Sequence, residues 1–382
     1  MKKRNIAILG STGSIGINTL KVADRYRDRF NVVALTAYKN CDLLQEQALK
    51  FSPKYLAATD DGIGRLKKSI KSRSVRLCSV ERDLSMIASL PEVDVVILAM
   101  RGSAALIPFL AAVRAGKVVA PANKEALVIA GDILMAEAKK SGAVIIPIDS
   151  EQSAIFQCLS GQNRQELRRV HLTASGGALL RVPISKFDRL TVKQILAHPR
   201  WKMGPKITVD SATLMNKGFE VIEAQKLFGL TADEINVVVH PEAIIHSMVE
   251  FIDGSIMAQL AVTDMRLPIQ YALTYPERLP TGLEDLDFFS LKSLNFEKPD
   301  LKKFPALALA FHAARKGGTL PCVLNAADEE AVDAFLHNRI SFTKIYDAVE
   351  RVVLKHKLIK SPGLQDILDV DGWAREETRK LL

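Results

Sequence analysis

Short runs of Val, Ile, Leu and Ala, separated by longer amphipathic stretches, recur through the first 150 residues. This is the pattern of strands covered on both faces alternating with helices. The runs Asn5–Leu9, Val32–Thr36, Tyr55–Thr59, Val93–Ala99, Val118–Pro121 and Ala143–Ile148 predict strands. Between them Ser14–Tyr26 and Ala104–Ala115 predict helices, the second stopped by Gly116. Such a βαβ succession predicts an α/β domain with a Rossmann-like, doubly wound, mostly parallel sheet over residues 1–150. From Glu151 to about Phe289 the pattern is mixed, an α+β signature. Val237–Val239, Ser247–Ile252 and Ser255–Val262 read as strands, with Asp253-Gly254 as a hairpin turn. The Pro- and Lys-spaced stretch 291–305 predicts a connector. Beyond it Ala306–Lys316, Asn325–His337 and Ser341–His356 predict an α-helical C-terminal domain.

Composition narrows the function classes. At 382 residues the chain can hold two or three domains, and its apolar and charged fractions are those of a globular protein. The net charge of +9 comes from 52 Lys and Arg against 43 Asp and Glu. The most basic stretch, Arg65–Lys68 and then Lys71–Arg73, is interrupted and lacks aromatics that could stack on bases. The charge therefore argues for a phosphorylated small ligand over nucleic acid. Cys41, Cys78, Cys158 and Cys322 show no metal-ligand or redox spacing, which fits reduced thiols and a cytoplasmic location. The basic N-terminus runs into a glycine turn after a few apolar residues, unlike a signal peptide, and no run is long enough to span a bilayer.

Candidate chemistry begins at the first turn. Strand Asn5–Leu9 feeds Gly10-Ser11-Thr12-Gly13-Ser14-Ile15-Gly16 and then a helix, the context of a dinucleotide-binding turn, with spacing G-x-x-G-x-x-G in place of the commoner G-x-G-x-x-G. Glycines let the backbone approach a pyrophosphate, and the helix N-terminus offers N–H donors. The second strand ends at Tyr38-Lys39-Asn40, without the carboxylate that would favour NAD. A lysine there attracts a 2′-phosphate, so NADPH is expected, against the plain alternative of a solvated loop lysine. Ala122-Asn123-Lys124-Glu125 follows another strand at the carboxyl end of the sheet, where ligands lie; a helix cap with an exposed lysine accounts for it equally well.

Asp149-Ser150-Glu151 ends the last strand of this half. In an extended chain the two carboxylates project to one side and could share a hard divalent cation. Alternatively, Asp149 or Ser150 caps a following helix, Glu151–Leu159, with Glu151 in its first turn. Further on, Ser175-Gly176-Gly177 offers a hydroxyl and open N–H groups to an oxyanion. His198–Pro205 places His, Trp and Met between Pro and Gly, as a closing loop would. If the chain is helical from about Ala212, Asn216, Lys217 and Glu220 share a face able to hold a phosphate and complete a metal site, or else form a surface ion pair.

Taken in order, Gly10–Gly16, Asn123–Glu125, Asp149–Glu151, Ser175–Gly177, His198–Gly204, Ser211–Glu220 and Pro321–Ala327 closely resemble the 1-deoxy-D-xylulose 5-phosphate reductoisomerases, almost end to end. The resemblance implies a homodimer with an NADPH-binding domain (1–150), a catalytic domain (151–290) carrying the lid near 198–205 and the dimer interface, and the helical C-terminal domain (306–382). It implies Thr12, Gly13, Ser14, Ile15, Lys39, Asn40, Asn123, Glu125 and Gly204 at the cofactor. Asp149, Glu151 and Glu220 would hold Mg²⁺ or Mn²⁺, with Co²⁺ a further option. Lys124, Ser150 and the metal carboxylates would meet the sugar, and Ser175, His198, Ser211, Asn216 and Lys217 its phosphate. His198, Trp201 and Met203 would lie on the lid. Lys124, Asp149, Glu151, His198 and Glu220 are the implied catalytic set.

The implied reaction rearranges 1-deoxy-D-xylulose 5-phosphate and reduces the product with NADPH to 2-C-methyl-D-erythritol 4-phosphate, a step of non-mevalonate isoprenoid synthesis. Tyr38, where the family often has glycine, Arg101, an added cation, and Asp328, in place of the commoner Asn, depart from the family pattern. The rival readings are another NADP-dependent sugar-phosphate or semialdehyde dehydrogenase, and an NADPH-binding regulator without activity.

Overall fold

A computed structural model describes residues 3–70, 75–201 and 203–382. Lys71, Ser72 and Arg73 of the basic stretch and Lys202 of the lid segment lie outside the described residues. The chain packs as two compact units: residues 1–126, 134–153 and 264–282 form the first, and residues 127–133, 154–263 and 283–382 the second.

The first unit is built on a seven-stranded sheet in the order β4-β3-β2-β1-β5-β6-β7, every adjacent pair parallel. Its strands are β1 (Arg4–Leu9), β2 (Phe30–Thr36), β3 (Tyr55–Ala58), β4 (Arg76–Ser79), β5 (Val95–Leu98), β6 (Val118–Pro121) and β7 (Val144–Ile145). This is the doubly wound α/β sheet expected, with one strand more. β4 escaped notice because Arg76-Leu77-Cys78-Ser79 is too short and mixed to show a period. β7 is shorter than the run Ala143–Ile148, although the N–H groups of Ile146 and Ile148 still donate to Val119 O at 2.9 Å and Pro121 O at 3.1 Å; Pro147, which has no N–H, sits on the edge side of the strand, away from β6. Order reverses between β1 and β5, so the loops after these two strands meet where ligands bind in such sheets.

The second unit carries a four-stranded sheet, β11-β10-β8-β9, from β8 (Leu167–Ala174), β9 (Ile235–Val239), β10 (Ile245–Phe251) and β11 (Ile256–Leu260). The expected hairpin is present: Gly254 takes a positive φ and Ser255 N–H donates to Asp253 Oδ1 at 2.9 Å. β8 was not anticipated. Helices Pro305–Lys316, Leu320–Leu336, Phe342–Lys355 and Leu364–Arg379 pack in this same unit. The expected divisions at 150 and 290 therefore do not coincide with packing. Residues 264–282 return to the first unit, where helix Arg266–Thr274 lies against helix Ser14–Arg25 and the Arg4 guanidinium donates to Leu273 O at 2.9 Å. The C-terminal helices join the unit of the smaller sheet because helix Pro305–Lys316 covers helix Met215–Phe228.

Candidate active site

Within the first unit the glycine turn is held from beneath. Ser11 is fully buried; its Oγ bonds Gln47 Oε1 at 2.7 Å, while Gln47 Nε2 donates to Ser11 O at 3.0 Å. Gly10 N–H donates to Thr36 Oγ1 at 2.9 Å, anchoring the turn to the end of β2. Helix Ser14–Arg25 starts directly after Gly13 and closes on it, Ile17 N–H reaching Gly13 O at 2.9 Å. A β-carbon at Gly16 would lie 2.4 Å from Gly10 O, so only glycine lets this helix sit so close to the turn. At Gly13, by contrast, the nearest atom to such a carbon is 3.5 Å away, which leaves room on the side where a phosphate would approach. Ser11 and Gln47 were missed in the sequence; the available signal was a glutamine between Leu44 and Ala48 on the buried stripe of its helix.

The loop after β2 exposes Tyr38 and lets Asn40 cap the next helix, Oδ1 accepting from Leu43 N–H at 3.1 Å. Beside it opens a cavity of about 480 Å³ whose wall includes Tyr38, Lys39, Thr59, Arg65 and Glu81. At the end of β6, buried Asn123 donates to Met100 O at 3.0 Å and Gly102 O at 3.1 Å, and its Oδ1 caps helix Glu125–Ser141 through Ala126 N–H at 3.0 Å. Its side chain thus fixes the loop after β5. The helix cap of the plain reading is present, with Asn123 as the capping residue, but its exposed lysine is not, since Lys124 is buried. Arg101 is exposed in that loop.

Lys124 is buried and paired with Asp149, Nζ to Oδ2 at 2.5 Å. A buried ammonium must be compensated in this way. The run around Asp149 is not extended: helix Ser150–Leu159 begins at once, Asp149 Oδ1 accepts from Glu151 N–H at 3.4 Å, and Asp149 O accepts from Ser153 N–H at 2.8 Å. Strand alternation is therefore not what relates Asp149 to Glu151; a helix start is, and the capping reading and the ligand reading apply to the same atoms. Ser150 Oγ donates to Glu151 Oε2 at 2.5 Å.

Within the second unit His198 organises a polar pocket. Its Nδ1 accepts from the N–H groups of Arg200 at 3.1 Å and Trp201 at 2.9 Å. Nδ1 is thus the acceptor, so the neutral ring carries its hydrogen on Nε2, which faces Ser175 Oγ and Ser211 Oγ, each at 3.2 Å. Gly177, at positive φ, presses against the Ser211 main chain, where a β-carbon would lie 2.5 Å from the carbonyl oxygen. The Trp201 ring sits 6.2 Å from that of His246, a buried residue whose pKa is pushed down to about 4, chiefly by burial. His246 has no motif around it and could not have been singled out.

Burial also lowers the His198 pKa below the ordinary 6.5. Protonation would place a hydrogen on Nδ1 and break both main-chain bonds. Tethering by the neutral ring is complete above the unfolded-state pKa and is lost as pH falls through the lower folded-state pKa. Hydrogen-exchange protection of the Arg200 and Trp201 amides is expected to weaken as pH falls below the ordinary histidine value of 6.5. Constant protection factors would remove this role from His198.

Helix Pro205–Thr213 ends at Leu214, in left-handed conformation, and helix Met215–Phe228 starts immediately. Asn216, Lys217 and Glu220 do share a face near its N-terminus, with Lys217 and Glu220 almost entirely buried. Lys217 Nζ bonds Glu220 Oε2, and Asn216 Nδ2 donates to Glu220 Oε1 at 2.6 Å. A surface ion pair is thereby excluded. Asn216 Oδ1 is buried without a hydrogen-bond partner among the described residues, an acceptor open to a ligand hydroxyl or water.

A glycine turn at the switch point of a parallel sheet, with buried Lys–carboxylate pairs beyond it, defines a dinucleotide-dependent α/β enzyme. Comparison with known proteins narrows this. Family models for 1-deoxy-D-xylulose 5-phosphate reductoisomerase match residues 6–131 and, as its C-terminal domain, residues 145–228; the DXP reductoisomerase C-terminal domain matches residues 260–377. The reductoisomerase of Desulfosudis oleivorans is 51% identical over 99% of this chain and 100% of its own. That of Pelotomaculum thermopropionicum is 49% identical over 99% and 98%. A crystal structure of DOX-P reductoisomerase in complex with NADPH, fosmidomycin and magnesium superposes with a TM-score of 0.93 at 40% identity, covering 99% of this chain and 98% of that one. The Zymomonas mobilis enzyme in complex with NADPH gives a TM-score of 0.93 at 39% identity, covering 100% and 99%. The chain belongs to the 1-deoxy-D-xylulose 5-phosphate reductoisomerase family.

Proposed function

We propose that Asp149, Glu151 and Glu220 share one divalent cation, Mg²⁺ or Mn²⁺, and that the Gly10–Gly16 turn with Lys39 and Asn40 holds NADPH. With these the chain, as a member of its family, converts 1-deoxy-D-xylulose 5-phosphate to 2-C-methyl-D-erythritol 4-phosphate for isoprenoid synthesis. The residues fit both groups. Carboxylate oxygens suit a hard cation, and Gly13 leaves open space before a helix N-terminus. The observation that carries the site reading is the buried Asn216–Lys217–Glu220 set, whose orphaned Asn216 Oδ1 points to a ligand.

When bound, the cation supplies Lewis-acid polarisation of neighbouring sugar oxygens and NADPH supplies the hydride. The chain supplies position. Lys217, Asn216, the hydroxyls of Ser175 and Ser211 and the Nε2–H of neutral His198 are donors for the sugar's phosphate, fixing it remotely from the reacting carbons. Lys124, oriented by Asp149, and Ser150, oriented by Glu151, contact the sugar itself. Trp201 and Met203 cover it and exclude water. Thr12, Ser14 and Ile15 present main-chain N–H groups to the cofactor. Asn123 contributes by its main chain, its amide being engaged elsewhere, alongside Glu125 and Gly204.

Homodimerisation and a cytoplasmic location belong to the same proposal. Ile252, Ile256 and Met257 are exposed on the β10–β11 hairpin, and β11 is an edge strand, which together favour pairing with a second copy. All four cysteines are free and buried, and no helix among the described residues is long and apolar enough to cross a membrane. Light scattering is expected to give twice the chain mass, and Ile256→Lys to give a monomer; a monomeric parent protein would remove the dimer.

The deciding experiment follows NADPH oxidation with 1-deoxy-D-xylulose 5-phosphate, with and without Mg²⁺ or Mn²⁺. Oxidation is expected only with both sugar and metal. Activity persisting in excess EDTA would favour a metal-free dehydrogenase, and NADPH binding without oxidation a regulator.

A further inference from the structure

Lys206 lies outside every motif that pointed to the site, yet three helices converge on it. Its Nζ is 2.5 Å from Asp210 Oδ2, one turn along its own helix Pro205–Thr213, and 2.9 Å from Asp328 Oδ2 on helix Leu320–Leu336. It also stands 4.6 Å from the centre of the Phe219 ring, beside Glu220 on helix Met215–Phe228. Asp210 and Asp328 are almost wholly buried. The Asp328 contact is an ion pair rather than a directed hydrogen bond, since that oxygen has no partner of hydrogen-bond geometry.

Two buried carboxylates on one ammonium are a costly way to stabilise a core, because desolvation consumes most of the attraction; apolar side chains of similar volume commonly do as well. What such a cluster does supply is fixed geometry. The geometry fixed here runs straight to the phosphate donors. Asp210 precedes Ser211, and the Asp210 carbonyl accepts from Thr213 Oγ1 at 3.1 Å, which in turn accepts from Met215 N–H at 3.2 Å. This relay crosses the left-handed Leu214 junction and ends one residue before Asn216 and Lys217. Lys206 is thus connected, through Asp210 and the Leu214 junction, to both the helix bearing Ser211 and the helix bearing Asn216, Lys217 and Glu220.

We propose that Lys206, clamped by Asp210 and Asp328 over the Phe219 ring, is a positioning residue that holds Ser211 in register with Asn216 and Lys217 for the substrate's phosphate. Asp328, the departure from the family's commoner Asn, gives this clamp its second full charge. The inference rests on the phosphate roles assigned above to Ser211, Asn216 and Lys217.

The test compares Lys206→Met, Asp328→Asn and Lys217→Ala in the full chain, measuring KM and kcat for 1-deoxy-D-xylulose 5-phosphate, NADPH affinity by its fluorescence without sugar, and Tm. Lys206→Met keeps the stem over Phe219 and is expected to raise KM about tenfold, with kcat and NADPH affinity changed less than about threefold. Asp328→Asn leaves the Lys206–Asp210 pair and is expected to shift KM the same way by about threefold, which keeps the test alive if Lys206→Met does not fold. A lowered Tm with unchanged KM in the folded variants makes the cluster a stability element and overturns the proposal. If Lys217→Ala raises KM while neither clamp variant does, the positioning role alone falls. If Lys217→Ala leaves KM unchanged, the phosphate site is misassigned and the proposal falls with it.

Discussion

Glu220→Gln is expected to abolish turnover, lowering kcat by roughly 10³-fold or more, since in the role proposed for it Glu220 helps hold a cation that stabilises several kcal/mol of developing charge. The substitution keeps the side-chain volume and can still accept from Asn216 Nδ2, which donates to Glu220 Oε1 at 2.6 Å. It removes the charge facing Lys217, whose side chain is only 4% exposed. Neutralising one partner of a buried ion pair costs about 3–5 kcal/mol, so Tm should fall as well. NADPH affinity, read from nicotinamide fluorescence, is expected to stay near that of the parent, because the glycine turn proposed to hold NADPH belongs to the first unit and Glu220 to the second. Retained turnover would remove Glu220 from the metal set. Loss of NADPH binding together with turnover would indicate misfolding rather than a missing ligand.

The second large effect lies at Gly16. Gly16→Ala places a β-carbon 2.4 Å from Gly10 O and from Ser11 Cα, main-chain atoms that no rotamer change can move aside. The helix must withdraw, and with it the N–H groups expected at the cofactor phosphates. We expect at least a hundredfold weaker NADPH affinity and a stability loss of about 3 kcal/mol, at the upper end for overpacked sites. Gly13→Ala is the informative control. Its β-carbon meets nothing closer than 3.5 Å, so the fold should survive while a ligand approaching that face is obstructed. Equal affinity in Gly16→Ala and the parent would show that the turn does not hold the cofactor.

Much of the first unit could be read directly, because buried parallel strands leave apolar runs and the turn between β1 and its helix leaves glycines. The motif residues of the second half were equally visible as types, and their order carried the family resemblance. What they touch was not visible. Lys217 and Glu220 could have been a surface pair, but in the fold both are almost wholly buried; exposure is a property of packing, and their helix lies against Pro305–Lys316, some ninety residues away in sequence. The sequence relates Asp149 and Glu151 by strand alternation, whereas in the fold a helix start relates them. The division into domains followed chain order, while packing took residues 264–282 back to the first unit.

The sequence by itself determined the parallel sheet, the glycine turn, the absence of a carboxylate after β2 that points to NADPH, and the family. These follow from local patterns, in which each residue's neighbours along the chain decide its role. Tertiary structure alone decided that Ser11 and Gln47 clasp the turn, that His198 is a neutral Nε2–H donor between two serines, and that Lys206 ties three helices together. Each of these depends on side chains far apart in the chain meeting in a low-dielectric interior, where an unpaired polar group is costly enough to fix which partner it takes.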